Sequence, residues 1–594
     1  MASNYEAICR ENRESYGTKG ATKAGELAGG LYDDRTHFIF ELLQNAEDAL
    51  RRRGEWSGSR EVSFTLSPTT LTLSHFGKPF DEADVRSVCD IAESTKNEAS
   101  IGRFGLGFKS VYTVTDLPEI HSGDEAFAIE NYVFPRAIQR SARAADETLI
   151  VLPLKKNDAT VWNEIAAGFR QLGPRALLFL RHIDAVSWRV QGGASGHYRR
   201  NRPEPLGPNV QRVTLFGKED GSAEVDQSWL VFQRDVSSAA TKHVGRVEIA
   251  FSLVAAKDAP AQWRVRALAQ SPLVVFFPTV VETHLGFLVQ GPYRTTPSRD
   301  NVPQSDPWNQ QLIGETSRLV VEAMRWLRDH QMLDVAAMRC LPLNREKFPK
   351  EARFAPTFEA VRQAFRQEAL LPTFEDGFAT AHQAKLSRTQ ELRELLNPQQ
   401  LAELFGAGVA GWLAADITQD RAPEIRQYVM NELGIDEITP AKLLPLFSRS
   451  FLERQSDGWV VRLYEFLAGQ EQAVRRSLDT VPLIRLEDGR HVLALEGGKP
   501  TAFLPGAASS GFPTIRRVVC ATPQVRLFLS SLGITEPDPV DDVIRNLLPR
   551  YQGEDADADD DVYAADIERI LRPSRPTRTR SGKSSARRWS RLPL

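Results

Sequence analysis

Ten residues near the amino terminus, Glu41-Leu42-Leu43-Gln44-Asn45-Ala46-Glu47-Asp48-Ala49-Leu50, constrain this chain more than any other stretch. At helical spacing Glu41, Asn45 and Asp48 share one stripe (i, i+4, i+7), while Phe38, Leu42, Ala46 and Ala49 supply an apolar side. A carboxylate, an amide and a second carboxylate on one wall can do nucleotide chemistry. Glu41 can orient a water, Asn45 can ligate Mg²⁺ through its carbonyl oxygen, and Asp48 can brace the site. Alone the stretch is ambiguous. Gln44 lies beside that stripe, and an amphipathic helix with a solvated polar face accounts for it equally well.

A second motif favours the chemical reading. Residues 101–112 read Ile-Gly-Arg-Phe-Gly-Leu-Gly-Phe-Lys-Ser-Val-Tyr, with glycines at 102, 105 and 107 ahead of a helix-forming run. Amides in such a loop can approach a phosphate without Cβ interference, and the first turn of the next helix adds unpaired N–H groups. The order G-x-x-G-x-G is not a dinucleotide fingerprint, and Phe108 between Gly107 and Lys109 excludes a Walker A loop. Between the motifs, Ile91-Ala92-Glu93-Ser94-Thr95-Lys96 can close over nucleotide, with Ser94, Thr95 and Lys96 near phosphates; a solvated loop lysine is the plain alternative for Lys96. Thr148 opens a buried strand, Thr148-Leu149-Ile150-Val151-Leu152-Pro153-Leu154, where its hydroxyl can support a water at the base of the site.

This order of motifs resembles the GHKL superfamily of ATPases, nearest to its heat-shock-chaperone branch and to proteins with a sacsin-type or NO VEIN-type amino-terminal ATP-binding domain. Asp34-Arg35-Thr36-His37-Phe38 before the first motif and Thr115-Asp116 after the second carry the likeness further. The resemblance implies an α/β (α+β) chain that begins with a Bergerat-type two-layer α/β sandwich, binds ATP and Mg²⁺, and hydrolyses ATP. Glu41 would be the general base and Asn45 the Mg²⁺ ligand. Gly102, Gly105 and Gly107, with Arg103, Phe104, Leu106, Phe108 and Lys109, would form the phosphate cradle. In phosphoryl transfer the protein mainly positions groups and neutralises charge, so this sparse set suffices in kind.

One departure stands out. Where the family carries an Asp in a D-x-G segment to accept the exocyclic amine of adenine, this chain reads Ser74-His75-Phe76-Gly77. A neutral imidazole has one acceptor nitrogen and can take that bond with less charge assistance, while Gly77 keeps the close backbone approach. Adenine selectivity is the property this exchange puts in question.

With 594 residues and 42% hydrophobic content, the chain is expected to hold several domains. Residues 1–160 read as the ATP-binding domain and 161–335 as an α/β middle domain. In the latter, Pro292 to Pro303 forms an arginine loop whose Arg299, or second Arg294, would reach the terminal phosphate, as the resemblance implies; pairing of Arg299 with Asp300 is the alternative. Residues 336–550 read as a mostly helical region holding two Asp-Gly strand–turn units (371–377 and 481–489), a platform for a substrate, a partner or a dimer. Residues 551–594 form a low-complexity tail, acidic and then basic and expected to be disordered, with Trp589 and its arginines able to touch nucleic acid weakly.

Scattered Cys9, Cys89, Cys340 and Cys520 suggest neither a disulfide framework nor a zinc site, and no apolar run is long enough to span a bilayer; a cytoplasmic location is expected. The net charge of −3 gives no bulk pull toward nucleic acid or membrane. Two functions fit: a chaperone-like ATPase driving lid and domain closure on a protein or nucleic-acid partner, in bacterial stress or phage defence, and a scaffold gated by ATP with little turnover. A homodimer is compatible with either.

Overall fold

The computed structural model describes residues 2–16, 35–90, 107–155, 160–237, 244–256, 262–296, 301–406, 411–470, 474, 477–506, 511–537, 543, 547, 551 and 560–571. The chain is mixed α/β and divides into two compact units, Met1–Pro372 with Asp416–Gly434, and Thr373–Ala415 with Ile435–Leu594.

The first unit is organised by one mixed sheet of sixteen strands. Its first half contains β1 (Glu61–Leu66), β2 (Thr70–His75), β3 (Glu119–Ser122), β4 (Glu125–Glu130), β5 (Phe134–Ala137) and β6 (Thr148–Pro153). Next come β7 (Ala185–Val190), β8 (Ser195–Arg200), β9 (Glu204–Gly207), β10 (Val210–Glu219), β11 (Val225–Ser237) and β12 (Val244–Ala255). The remaining four are β13 (Trp263–Arg266), β14 (Pro272–Val275), β15 (Phe277–Glu282) and β16 (Leu288–Gln290). The path runs β15-β14-β16-β12-β11-β10-β8-β7-β1-β2-β6-β3-β4-β5, with β9 and β13 paired alongside. Pairing is antiparallel except for β1 with β7 and β14 with β16. Strands from both sides of residue 160, where sequence reading places a boundary, belong to this one sheet.

Alternation explains the register. Val62, Phe64 and Leu66 of β1, Leu71, Leu73 and His75 of β2, and Val186, Trp188 and Val190 of β7 are buried on successive odd or even positions. Over this face lie helix α1 (His37–Arg53) and helix α3 (Val161–Leu172); α2 (Glu82–Cys89) is the short helix between them in sequence. Phe169 of α3 stacks on Trp188 with ring centroids 5.8 Å apart and meets Phe64 at 5.3 Å. A Cβ on Gly168 would lie 2.8 Å from the Thr36 methyl, so this glycine lets α3 reach the start of α1. At the other end of the path, α4 (Pro307–Asp329) begins at Asp306, whose carboxylate caps the Trp308 and Asn309 amides, and packs Trp326 edge-on against Phe232.

The second unit has its own core around Trp412, Trp459, Tyr464 and Phe528. Its helices are short and begin at polar caps: Thr389, Asn397, Ser448, Ser456 and Thr522 each accept a backbone N–H. The two Asp-Gly segments both close turns, with Thr373 N donating to Gly377 O and Leu486 N to Arg490 O. Positive φ falls on Asp376 (54°) and Gly489 (90°). Within the expected tail, Asp560–Leu571 is helical, and Tyr551 Oη donates to Asp566 at 2.9 Å. Trp589 and the basic run lie outside the described residues. The four cysteines are free thiols, and among the described residues no helix is long and apolar enough to cross a membrane.

Candidate nucleotide site on helix α1

Helix α1 is built on Phe38, Ile39, Leu42, Leu43, Ala46, Ala49 and Leu50, all buried, and ends in Arg51, Arg52 and Arg53, which oppose its negative carboxyl-terminal end. Gly54 leaves the helix at φ 74°. What sets the helix apart is its polar side. Glu41, Gln44, Glu47 and Asp48 are each no more than 6% exposed. A solvated stripe is therefore not what this helix carries, since buried carboxylates persist only when the structure gives them partners or a job.

Glu47 has an evident structural job. Its carboxylate accepts the backbone N–H groups of Arg181 (2.8 Å), His182 (2.9 Å) and Ile183 (2.9 Å), which fixes the turn leading into β7. Asp48 pairs with Arg51 one turn on, at 3.2 Å. Glu41 has the His37 ring at 3.9 Å, and its Oε2 lies where a Cβ on Gly107 would be, 2.5 Å away. The last glycine of the loop thus allows a close approach and is not needed for an unusual φ, and the end of the loop meets the second turn of α1. Asn45, half-buried, lies one turn beyond Glu41 on that side.

The remaining candidates sort clearly. Gly107 and Phe108 stand at the start of a 3-10 turn (Phe108–Thr113) packed on α1. The ammonium of Lys109 is buried and donates to the carbonyls of Val88 and Tyr132; in this conformation it braces α2 against the β4–β5 connection, and burial lowers its pKa to about 8. Ser94, Thr95 and Lys96, and Gly102, Arg103, Phe104, Gly105 and Leu106, lie outside the described residues, as does Arg299. Arg294 is anchored at the foot of α4, its guanidinium 3.0 Å from Asp306 and its N–H on Asn309.

His75, Thr148 and Ser122 line up across β2, β6 and β3 in one row. Thr148 Oγ1 and Ser122 Oγ are 2.6 Å apart and fully buried. The His75 Nδ1 accepts the Gly77 N–H at 3.1 Å. That bond requires Nδ1 to be the unprotonated nitrogen, so the neutral ring carries its proton on Nε2 and offers a donor there. The sequence-based expectation that His75 presents an acceptor is reversed by this contact. Gly77 itself fits against α1: a Cβ would lie 2.4 Å from that of Ala49, Lys78 N donates to Ala49 O at 2.9 Å, and Arg53 donates to the Phe76 and Gly77 carbonyls.

Burial lowers the His75 pKa from 6.5 to about 4, with Arg52 adding a smaller push in the same direction. A depressed folded value means that the stability of the neutral ring is complete above pH about 6.5 and is lost as pH falls through about 4. The difference is worth about 3 kcal/mol. Denaturant titrations at pH 7.5 and 4.5 should show His75→Gln losing less stability on acidification than the wild type. Identical losses would remove His75 from the acid response.

Glu47 and the seating of Glu41 on Gly107 are roles the sequence does not announce, because their partners are 134 and 66 positions away. What could be read is only that four polar residues crowd one helix whose flanks are apolar.

Comparison with known proteins bears on this half of the first unit. Residues 30–144 match the Sacsin domain. That span holds α1, the His75–Gly77 turn and the loop ending at Gly107, but not Thr148. Protein NO VEIN of Arabidopsis thaliana is 28% identical over 329 residues, 50% of this chain and 11% of that protein. Human sacsin is 33% identical over 143 residues, 19% of this chain and 3% of sacsin. The chaperone protein HtpG of Aliarcobacter butzleri is 29% identical over 133 residues, 17% of this chain and 21% of HtpG. The Sacsin-domain region is thus distantly homologous to all three. This chain covers well under two thirds of each relative's length.

Proposed function

We propose that the Sacsin-domain region is a GHKL-type, Bergerat-like nucleotide site that binds Mg·ATP on α1 and hydrolyses it. The observation that carries this reading is the buried polar wall of α1 closing on Gly107, whose Cβ position would be 2.5 Å from the Glu41 carboxylate. Distant homology to HtpG and sacsin supports the same class of site and leaves the client open.

The donor set suits the ligand. An amide oxygen on Asn45 beside substrate phosphates is the sparse protein ligation that Mg²⁺ accepts. The metal, when bound, would neutralise phosphate charge. Glu41, held near the loop, would take the proton of the attacking water, and Asp48 would hold the wall in place through Arg51. Ser94, Thr95 and Lys96 would close as a lid, Gly102 to Phe108 would cradle phosphate while Lys109 braces the loop from behind, Thr148 would support a water, and Arg299 would complete the site. Closure of lid and middle domain would then act on a protein partner.

A second reading is a scaffold gated by nucleotide without turnover, and one contact bears on which base either reading would take. With Nε2–H as donor, His75 meets the amine of adenine donor to donor and suits a 6-oxopurine better. Competition of ATP, GTP and ITP against a fluorescent nucleotide tests this. The expected result is Mg²⁺-dependent binding with GTP and ITP at least as tight as ATP. A tenfold preference for ATP would show that His75 does not face the base.

A further inference from the structure

The first unit has a concavity of about 840 Å³ lined from β1, β8 and β12 and from the turn that leads into β7. Six arginines line it: Arg60, Arg181, Arg199, Arg200, Arg202 and Arg246. Three are spoken for. Arg200 pairs with Asp184 at 3.1 Å, Arg246 with Asp235 at 2.6 Å, and Arg181 lies 3.4 Å from Glu248. Arg60, Arg199 and Arg202 have no carboxylate partner among the described residues; Arg60 reaches only the Trp56 carbonyl, and Arg199 lies over the Phe216 ring. Glu61 is the other acid of the wall and accepts the Ser187 hydroxyl. Six guanidiniums against Glu61, Asp184, Glu248 and Asp235 leave the cleft with a positive excess of two.

Two deeply buried groups line the same cleft. Glu248 is 4% exposed, and its Oε2 is the atom that Arg181 meets at 3.4 Å; burial raises its pKa and Arg181 opposes that shift. Arg200 is 7% exposed, and its Nε has no acceptor among the described residues. Leaving a buried donor of this kind unsatisfied costs about 1–3 kcal/mol. The volume lies in the range of small-ligand clefts, about 300–1,000 Å³.

We propose that this cleft binds a compact phosphate ester of sugar-phosphate size. Its phosphate sits among Arg60, Arg199 and Arg202, where planar guanidinium forks match phosphate oxygens. The Arg181 backbone N–H is clamped by Glu47 of α1, so the occupant contacts a peptide tied to the helix of the nucleotide site.

Calorimetric titration of the full chain with ribose 5-phosphate and with inorganic pyrophosphate tests the site, using wild type, Asn45→Ala and the double variant Arg199→Ser/Arg202→Ser. Both arginines are exposed, so the double variant should melt like wild type. Binding of both probes equal in wild type and Asn45→Ala, weakened at least tenfold in the double variant, is the expected result. Loss in Asn45→Ala would assign the heat to α1 and overturn the proposal. So would equal affinity in the double variant, or no binding at millimolar probe. An oligonucleotide bound through Arg199 and Arg202 while both probes are ignored would overturn the small-molecule occupant.

Discussion

Glu41→Gln is expected to lower Mg²⁺-dependent phosphate release from ATP by about 10²- to 10⁴-fold while leaving nucleotide affinity within about threefold of wild type. The substitution is nearly isosteric, which matters because the side chain is 6% exposed and fitted to the space that Gly107 leaves. Truncation to alanine would open a cavity beside the loop and confound chemistry with packing; glutamine removes only the proton acceptor. Release from Glu41→Gln equal to wild type would exclude Glu41 as the base. Release at background in both proteins, with binding intact, would select the scaffold reading.

Glu47→Ala should cost on the order of 4 kcal/mol of stability in the first unit. One carboxylate satisfies three consecutive backbone donors at 181–183, and alanine would leave those N–H groups without that acceptor in a turn that is buried at Ile183. The turn feeds β7, which pairs in parallel with β1, so the damage reaches the centre of the sheet. Hydrogen exchange followed by mass spectrometry should show amides 181–183 losing protection first, with Glu47→Gln retaining part of it through its remaining carbonyl oxygen. Unchanged exchange there would mean that the clamp contributes little.

These two carboxylates also show what could be read in the sequence. The helix that carries Glu41, Asn45 and Asp48 was legible because helical periodicity is local, and the strand opened by Thr148 was legible for the same reason. The tautomer of His75 was not, since it depends on one N–H two residues away whose direction is set by packing of Gly77 on Ala49. The ammonium of Lys109 follows the same logic: a lysine after a glycine loop reads as a phosphate ligand, yet two backbone carbonyls hold it here. Glu47 and the arginine cleft depend on pairings across more than a hundred residues, which no local pattern encodes. Most of the loop itself, with Arg299, lies outside the described residues.

The central claim is that α1 and the loop ending at Gly107 wall one nucleotide pocket. Calorimetric titration of a non-hydrolysable ATP analogue, with Mg²⁺ and with EDTA, into wild type and Asn45→Ala tests it most directly. Saturable binding to wild type that weakens at least tenfold with EDTA or in Asn45→Ala is the expected result, with the variant keeping the wild-type melting temperature. Undetectable binding to wild type, or affinity unchanged by both perturbations, would contradict it.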